Sequence, residues 1–376
     1  MRILILSKAL IVGQYQNKLE ELAKQPNLEL TVVVPPFWRD ERGTIPLERA
    51  HTHGFEFLVE PMRFNGQFHF HYYPTLASIL KRIRPDIIHI DEEPYNLATF
   101  HALRAAQSVG AKSLFFTWQN ILRRYPPPFS WMEAYVLRNA SCGIAGNQEA
   151  ANVIRAKGYR GKISVIPQFG IDPDLFQPTA DAQRTNEPAN QRLNIGFAGG
   201  RLVEEKGIDL LLHAAAKLQG DWRVYILGGG PDKERLQTLA RTLGIESRVI
   251  FDASIPSSEM PSYLRTLDVV VLPSRTRPNW KEQFGRILVE AMACEIPVVG
   301  STCGEIPNVI GDAGLIFPEG NVTTLHTHLE ALQNDFEKRR ELGKRGRERV
   351  LAHFTQAHIA QETYKVYREM MEQTNG

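Results

Sequence analysis

One pattern narrows the fold of this chain more than any other: short apolar runs alternate along it with helix-length amphipathic stretches. In the first half the runs are ILIL at 3–6, LTVVV at 30–34, FEFLV at 55–59, DIIHI at 86–90, SLFFT at 113–117, CGIA at 142–145 and ISVI at 163–166. A second series opens with LNIGFA at 193–198 and continues through WRVYIL, RVIF, VVVL and IPVVG to GLIF at 314–317. Runs of this kind read as strands buried on both faces, and strands spaced by helices build parallel sheets with crossover connections. Between the series lies DPDLFQPTADAQRTNEPANQR, residues 172–192, polar and dotted with proline as a linker would be. The chain therefore reads as α/β, with two Rossmann-like doubly wound parallel-sheet domains, 1–171 and 193–355, facing across a cleft. The tail from Val322 to about Met371 is helical by pattern, and the segment 356–376 is expected as a helix packing back on the N-terminal domain. Ligands of doubly wound sheets bind outside the carboxyl ends of the strands, so the site is expected there.

A length of 376 residues suits two domains rather than one core. The net charge of +2 excludes a nucleic-acid coat, yet residues 1–170 hold 20 Lys and Arg against 14 Asp and Glu while the remainder holds 24 against 28. A basic first half is ordinary solvated surface or a face for an anionic acceptor or a peripheral membrane contact. Cys142, Cys294 and Cys303 form no C-x-x-C and are odd in number, so they read as buried reduced thiols of a cytoplasmic protein. MRILILSKALIVG is interrupted by Lys8 and reads as a first strand rather than a leader. No run of 18 apolar residues offers a membrane span. The basic stretch KRRELGKRGRERV at 338–350 has interleaved glutamates, so it reads as a solvated helix rather than a nucleic-acid contact.

Three segments of the second half carry chemistry. GFAGGRLVEEKGIDLLLHAAAKL, 196–218, reads as strand, Gly199-Gly200 turn, Arg201, Lys206-Gly207 and an apolar-faced helix. Two cations at a helix N-terminus oppose the helix dipole, and an anion between them would resolve the conflict. Gly199 and Gly200 would let backbone N–H groups approach a diphosphate, with Arg201 and Lys206 as donors. Alternatively Lys206 pairs with Glu204 or Glu205 at the surface. LGGGP at 227–231 places Gly228 and Gly229 at a strand end, for close approach to a ligand or for a tight turn. EQFGRILVEAMACEIPVVGSTCGEIP, 282–307, contains a helix expected from Phe284 to Cys294, apolar at almost every angle, with Arg286 and Glu290 as its only charges. A carboxylate there needs a partner or a ligand. On a continuous helix Glu282 and Glu290 would lie about 12 Å apart in rise and about 80° apart in rotation. That suits two carboxylates holding different parts of one long ligand better than a hydrolase pair. Glu290 would take a ribose, or pair with Arg286 one turn earlier.

GGRLVEEKG, LGGGP, EQFGRILVEAMACEIPVV and GEIPNVI, in this order and spacing, resemble the donor half of glycosyltransferase family 4, retaining transferases of the two-domain GT-B type. VIPQFGIDPDLFQP, 165–178, is similar to the segment joining the family's domains. The resemblance implies transfer of a sugar from a UDP- or GDP-sugar to a hydroxyl of a glycan, lipid-linked or small-molecule acceptor. It implies that Arg201 and Lys206 hold the donor diphosphate, that Glu290 binds the ribose, and that Glu282 sits by the transferred sugar with Phe284 and Gly285. Neither a metal nor another cofactor is expected, because cations and helix N-termini would stabilise the leaving diphosphate. The location expected from the reduced cysteines is cytoplasmic, and the basic first half permits peripheral contact at the membrane's cytoplasmic face.

The first half departs from the family pattern. Its first loop, SKALIVGQY, has only Gly13, and FFTWQN places Trp118, Gln119 and Asn120 where many members have a histidine. Gln119 or Asn120 is the candidate replacement. HIDEEPYN puts Asp91, Glu92 and Glu93 just beyond a strand, to bind acceptor hydroxyls, to act as a base, or to cap the next helix. His69 and His71 would share a strand face but lack a third metal ligand. RRYPPPFSW at 123–131 reads as a packed loop or an interfacial one. The competing functions are a nucleotide-sugar epimerase of similar build, an NAD oxidoreductase, disfavoured because no G-x-G-x-x-G follows either first strand, and a non-catalytic nucleotide-sugar or glycan-binding relative.

Overall fold

The computed structural model describes residues 1–40, 43–178 and 192–372. The linker expected at 172–192 thus lies outside the described residues from 179 to 191, as do residues 373–376 of the terminal segment. The chain divides into two compact units, one of Met1–Gly170 with the segment from Gln356 onward, the other of Ile171–Thr355.

In unit 1 the strands are β1 (Arg2–Leu6), β2 (Glu29–Val34), β3 (Phe37–Asp40), β4 (Gly43–Pro46), β5 (Glu56–Val59), β6 (Ile87–Ile90), β7 (Lys112–Thr117), β8 (Cys142–Ala145) and β9 (Lys162–Val165). Seven form a parallel sheet in the order β5-β2-β1-β6-β7-β8-β9. Side chains alternate across it: Ile3, Ile5, Val32 and Val34 join one buried cluster, and Leu4, Leu6 and Val33 the other. Each such side chain contributes about 1.5–3 kcal/mol by leaving water. The helix Gln356–Glu372 supplies Ile359, Ala360, Val366, Tyr367 and Met370 to the first cluster. There Tyr367 Oη lies 2.6 Å from His89 Nδ1. The antiparallel pair β3 and β4 was not legible in the sequence, because neither strand is an apolar run.

Unit 2 contains β10 (Leu193–Arg201), β11 (Trp222–Gly229), β12 (Val249–Asp252), β13 (Val269–Leu272), β14 (Val298–Ser301) and β15 (Leu315–Phe317), ordered β12-β11-β10-β13-β14-β15 and parallel throughout. Both sheets therefore reverse winding beside their first strand, between β1 and β6 and between β10 and β13. That is the doubly wound arrangement, and it marks two switch points where ligands can enter.

Three expectations are corrected here. Gly199 and Gly200 are not a turn; β10 runs on through both to Arg201, with a register shift between Phe197 and Gly200. The helix expected at Phe284–Cys294 is shorter, Arg286–Ala293, because Gly285 at φ +76° holds a left-handed conformation that cannot continue it. His69 sits in a turn and His71 in the loop just after it, rather than on one strand face. The basic stretch forms part of the helix Phe336–His353, and the chain divides its charges. Arg340 and Arg345 pair with Glu337 and Glu341 on the helix itself. Arg347 reaches the Ala293 carbonyl at the end of the helix Arg286–Ala293, and Arg349 takes the carbonyls of Asn308 and Val309.

Candidate active site

The switch point of unit 2 is built from four backbone segments. The end of β10 brings Gly199 and Gly200, the 3₁₀ turn Glu204–Lys206 brings Lys206, the residue after Pro273 brings Ser274, and the loop before the helix Arg286–Ala293 brings Glu282. They enclose a cavity of about 320 Å³ lined by Ala198, Gly199, Gly200, Lys206, Leu272, Glu282, Gly285, Arg286, Ile287 and Glu290. That volume falls within the range of small-molecule sites, about 300–1,000 Å³.

Glycines set the close approaches. Gly207, at φ +65°, has its Cα so near Pro273 that a Cβ would stand 2.1 Å from the Pro273 carbonyl oxygen. Gly304, at φ +56°, would do the same to the Glu282 carbonyl, which also accepts the N–H of Glu305 at 3.1 Å. The segment GEIP is thus the brace behind Glu282. The loop 274–281 is held down by Arg275, whose N–H donates to Glu205 O at 2.7 Å and whose guanidinium meets Asp209 at 2.6 Å.

The electrostatics are specific. Lys206 Nζ lies 2.7 Å from Glu282 Oε2, which also accepts Ser274 Oγ–H at 2.9 Å. The expected surface partners of Lys206 are not used, and Glu204 pairs instead with Arg277. Lys206 also stands 5.0 Å from the ring centre of Trp280, a cation–π contact. Arg286 Nε reaches Glu290 Oε1 at 2.7 Å, the one-turn pair the sequence left open. Burial pushes the Glu290 carboxyl above its usual range even though Arg286 draws it down. The site therefore offers two carboxylates, each already matched to a cation, around a glycine-lined floor.

Other expected donor residues sit differently. Arg201 is exposed at the end of β10, in register with Gly229. Gly228, at φ +133°, is required by β10 itself, since a Cβ there would stand 1.9 Å from Gly200 O, whereas Gly229 faces open space. The Phe284 ring packs into the unit 2 core and lies 5.8 Å from that of Phe354. Ser274, Trp280 and Arg286 were missed as site residues; Ser274 at least had a positional signal, just past the VVVL strand at a switch point.

Unit 1 carries a second polar cluster at its own switch point. Ser7 Oγ donates to Asp91 Oδ2 at 2.7 Å, and Lys8 pairs with Glu92, whose other oxygen lies 3.4 Å from His71 Nε2. Glu92 is therefore buried in an ion pair rather than turned to solvent. Burial raises its carboxyl, but Lys8 and His71 outweigh burial and bring it to about 2. Glu93 has the opposite fate: burial lifts it to about 7 although Thr117 Oγ1 and the Trp118 N–H donate to it. Trp118 Nε1 donates to Gln168 Oε1 at 2.9 Å. Gln119 is engaged by Tyr125 at 3.3 Å and Lys157 at 3.1 Å, and Asn120 is buried beside it. Gly13 opens the helix Gly13–Ala23, and its N–H donates to Glu48 Oε2 at 2.7 Å. Lys8 and Ser7 escaped the sequence because Lys8 registered only as a break in an apolar run. Among the described residues no group of three or more His, Cys, Asp or Glu is placed to hold a metal ion, and no helix is long and apolar enough to cross a membrane.

Two family models match in tandem, Glycosyltransferase Family 4 over residues 16–175 and Glycosyl transferases group 1 over residues 180–349. A GDP-mannose-dependent alpha-(1-6)-phosphatidylinositol monomannoside mannosyltransferase of Mycolicibacterium smegmatis is 33% identical over 192 residues, 47% of this chain and 49% of that protein. A D-inositol 3-phosphate glycosyltransferase of Corynebacterium jeikeium is 32% identical over 260 residues, 63% of this chain and 59% of that protein. The chain thus spans about half to three-fifths of the length of these curated relatives. Among solved structures, sucrose-phosphate synthase from Thermosynechococcus elongatus superposes with a TM-score of 0.73 at 20% identity, covering 99% of both chains. Anabaena HepE in complex with UDP gives 0.73 at 19%, covering 98% of this chain and 100% of that one. Matched by both models in order, and wound as two Rossmann-like sheets, the chain belongs to glycosyltransferase family 4, the group 1 glycosyl transferases of GT-B fold.

Proposed function

We propose that this protein transfers a sugar from a nucleoside-diphosphate donor, a UDP- or GDP-sugar, to an acceptor hydroxyl in cytoplasmic glycan, glycolipid or glycoside synthesis, with retention and without a metal. The observation that carries the proposal is the glycine-floored cavity of unit 2, where Lys206, Glu282, Arg286 and Glu290 converge at a switch point. Similar proteins are consistent with such a donor: one relative is a GDP-mannose-dependent mannosyltransferase, and HepE, of like fold, is solved with UDP or UDP-glucose.

In this mechanism the diphosphate takes Lys206 from Glu282, with Arg201 as a second cation, and the released carboxylate meets hydroxyls of the sugar. Glu290 and Arg286 bracket the ribose. The C1–O bond to the diphosphate breaks, the acceptor oxygen bonds C1 on the same face, and the acceptor proton passes to the departing diphosphate. Charge growing on that leaving group is stabilised by Lys206, Arg201 and backbone N–H groups, the kind of preorganised contribution worth most in a water-poor site.

The test is thermal shift against UDP, GDP, ADP and their sugars, then turnover of the best donor in excess EDTA with the anomeric configuration read by NMR. Glu290→Gln should weaken the bare nucleotide and the donor alike. Glu282→Gln should spare the bare nucleotide and lower turnover, as for a contact strengthening in the transition state. Equal loss of bare-nucleotide affinity in both variants would refute this division of labour, inversion would refute retention, and activity abolished by EDTA and restored by Mg²⁺ would refute metal independence.

A further inference from the structure

Between Ser274 and Glu282, which share a hydrogen bond at the cavity, the chain runs RTRPNWK. A loop this polar would ordinarily be left to solvent and be mobile. Here its first three residues are all anchored. The Arg275 N–H donates to Glu205 O and its guanidinium to Asp209, the Thr276 N–H and hydroxyl donate to the Glu319 carboxylate at 2.6 and 2.8 Å, and Arg277 pairs with Glu204. Pro278 and Asn279 then form a two-residue turn, closed by the Arg277 N–H to Trp280 O at 2.8 Å and the Trp280 N–H to Arg277 O at 3.2 Å. Proline presets the backbone of the first turn position, so little freedom is left.

The consequence is a tryptophan at a fixed place. Trp280 is half-buried against the unit 2 core, with its ring centre 5.0 Å from Lys206 Nζ. Two of the loop's anchors, Glu204 and Glu205, belong to the same 3₁₀ turn as Lys206, so ring and cation are tied together by charge and backbone. Packing alone explains a half-buried tryptophan, but it does not explain one set over a lysine that already has a carboxylate. In the proposed chemistry Lys206 leaves Glu282 for the diphosphate, and its long flexible stem would otherwise be released to swing between them. A second carboxylate could restrain it, at the cost of repelling the incoming diphosphate. An aromatic face attracts the ammonium through its quadrupole and stays neutral.

We infer that Trp280 is a positioning residue, which keeps the Lys206 ammonium in place while that cation changes partner from Glu282 to a diphosphate. The inference deepens the donor reading of this cavity and rests on it. It requires no contact between Trp280 and the sugar or the base of the donor.

The test is calorimetry of the full chain with UDP, GDP and ADP, bare nucleotides in which no sugar contact enters. Trp280→Leu should weaken the tightest of the three about three- to thirty-fold, the range of a cation–π contact, and Trp280→Phe should weaken it less. In a Lys206→Ala background Trp280→Leu should cost no further affinity, because the group it positions is gone. Singly, doubly and trebly fluorinated tryptophan placed at 280 alone keeps the ring's shape while draining charge from its face. Affinity should fall stepwise along that series, a response that a packing role would not give. Thermal melts check that each protein is folded. No fall along the fluorine series overturns the inference and leaves the donor reading standing, as does a Trp280→Leu loss undiminished in the Lys206→Ala background. Loss of affinity for the nucleotide-sugar alone, with the bare nucleotide spared, overturns it in favour of a ring that touches the sugar. A folded parent that binds none of the three nucleotides overturns both readings.

Discussion

Lys206 has two suitors, and the competition can be measured. In the structure its charge is matched by Glu282, and both side chains are largely buried. Lys206→Ala therefore strands a carboxylate, at a cost of the order of 3 kcal/mol when one member of a buried pair is removed. It should lower both melting temperature and nucleotide affinity. Adding Glu282→Gln should restore the melting temperature and leave the affinity low, because only the carboxylate's loss of partner has been repaired. Arg201 is exposed, so Arg201→Ala should change stability by no more than about 0.5 kcal/mol while costing roughly ten-fold in affinity. Calorimetry on the four proteins decides the matter. Glu93 gives a second residue-scale test. Burial holds its carboxyl at about 7, above the 4.5 of an open chain, so the folded state takes up a proton that the unfolded state has released. That contribution to stability is fully present below pH 4.5 and is lost as pH rises through 7. It amounts to something of the order of 3 kcal/mol. Glu93→Gln stays neutral, so its stability relative to the parent should improve between pH 5 and pH 8 in urea unfolding; a constant difference would show that Glu93 is ionised in the fold.

At the scale of elements, the strand before each site was visible as an apolar run, while the turns that aim the side chains were not. Two glycines separate strain from crowding. Gly304 and Gly320 both have positive φ, +56° and +76°, but a Cβ at Gly304 strikes the Glu282 carbonyl and one at Gly320 meets nothing within 4 Å. Gly320→Ala should cost about 1 kcal/mol of stability and leave turnover alone. Gly304→Ala should cost more and lower turnover, since the loop must shift Glu282; equal effects on turnover would deny the brace. The same contrast shows what a sequence withholds. The apolar runs gave the strand order its raw material because burial on both faces leaves a continuous hydrophobic signal. The end of β10 was misread because a Gly-Gly pair signals a turn locally, and only its register with Gly228 and Gly229 keeps it in the sheet. The helix start at Arg286 depends on the φ of Gly285, and a residue name alone does not state a dihedral. The pairs Lys206–Glu282 and Lys8–Glu92 join positions far apart in the chain, so spacing rules that serve within one helix had no purchase on them.

For the whole molecule, the decisive fact is that unit 1 is made from both sides of unit 2. The helix Gln356–Glu372 lays Ile359, Ala360, Val366, Tyr367 and Met370 into a core whose other buried members all precede residue 167. A chain ending at Thr355 should therefore keep nucleotide binding in unit 2 while unit 1 loses the cover of that cluster and the Tyr367 partner of His89. Calorimetry of the shortened chain should show the transition of unit 1 lowered or absent and that of unit 2 retained. The same arrangement governs synthesis. Strands β1 and β2 are made before unit 2 yet belong to the unit that closes after it, and unit 2 can complete its own core first. At common translation rates of about 5–20 residues per second, the apolar face of β1 and β2 waits roughly fifteen to seventy seconds for the helix Gln356–Glu372. The hazard of aggregation thus falls on unit 1 strands already made, and slowing translation of residues 171–355 should worsen it.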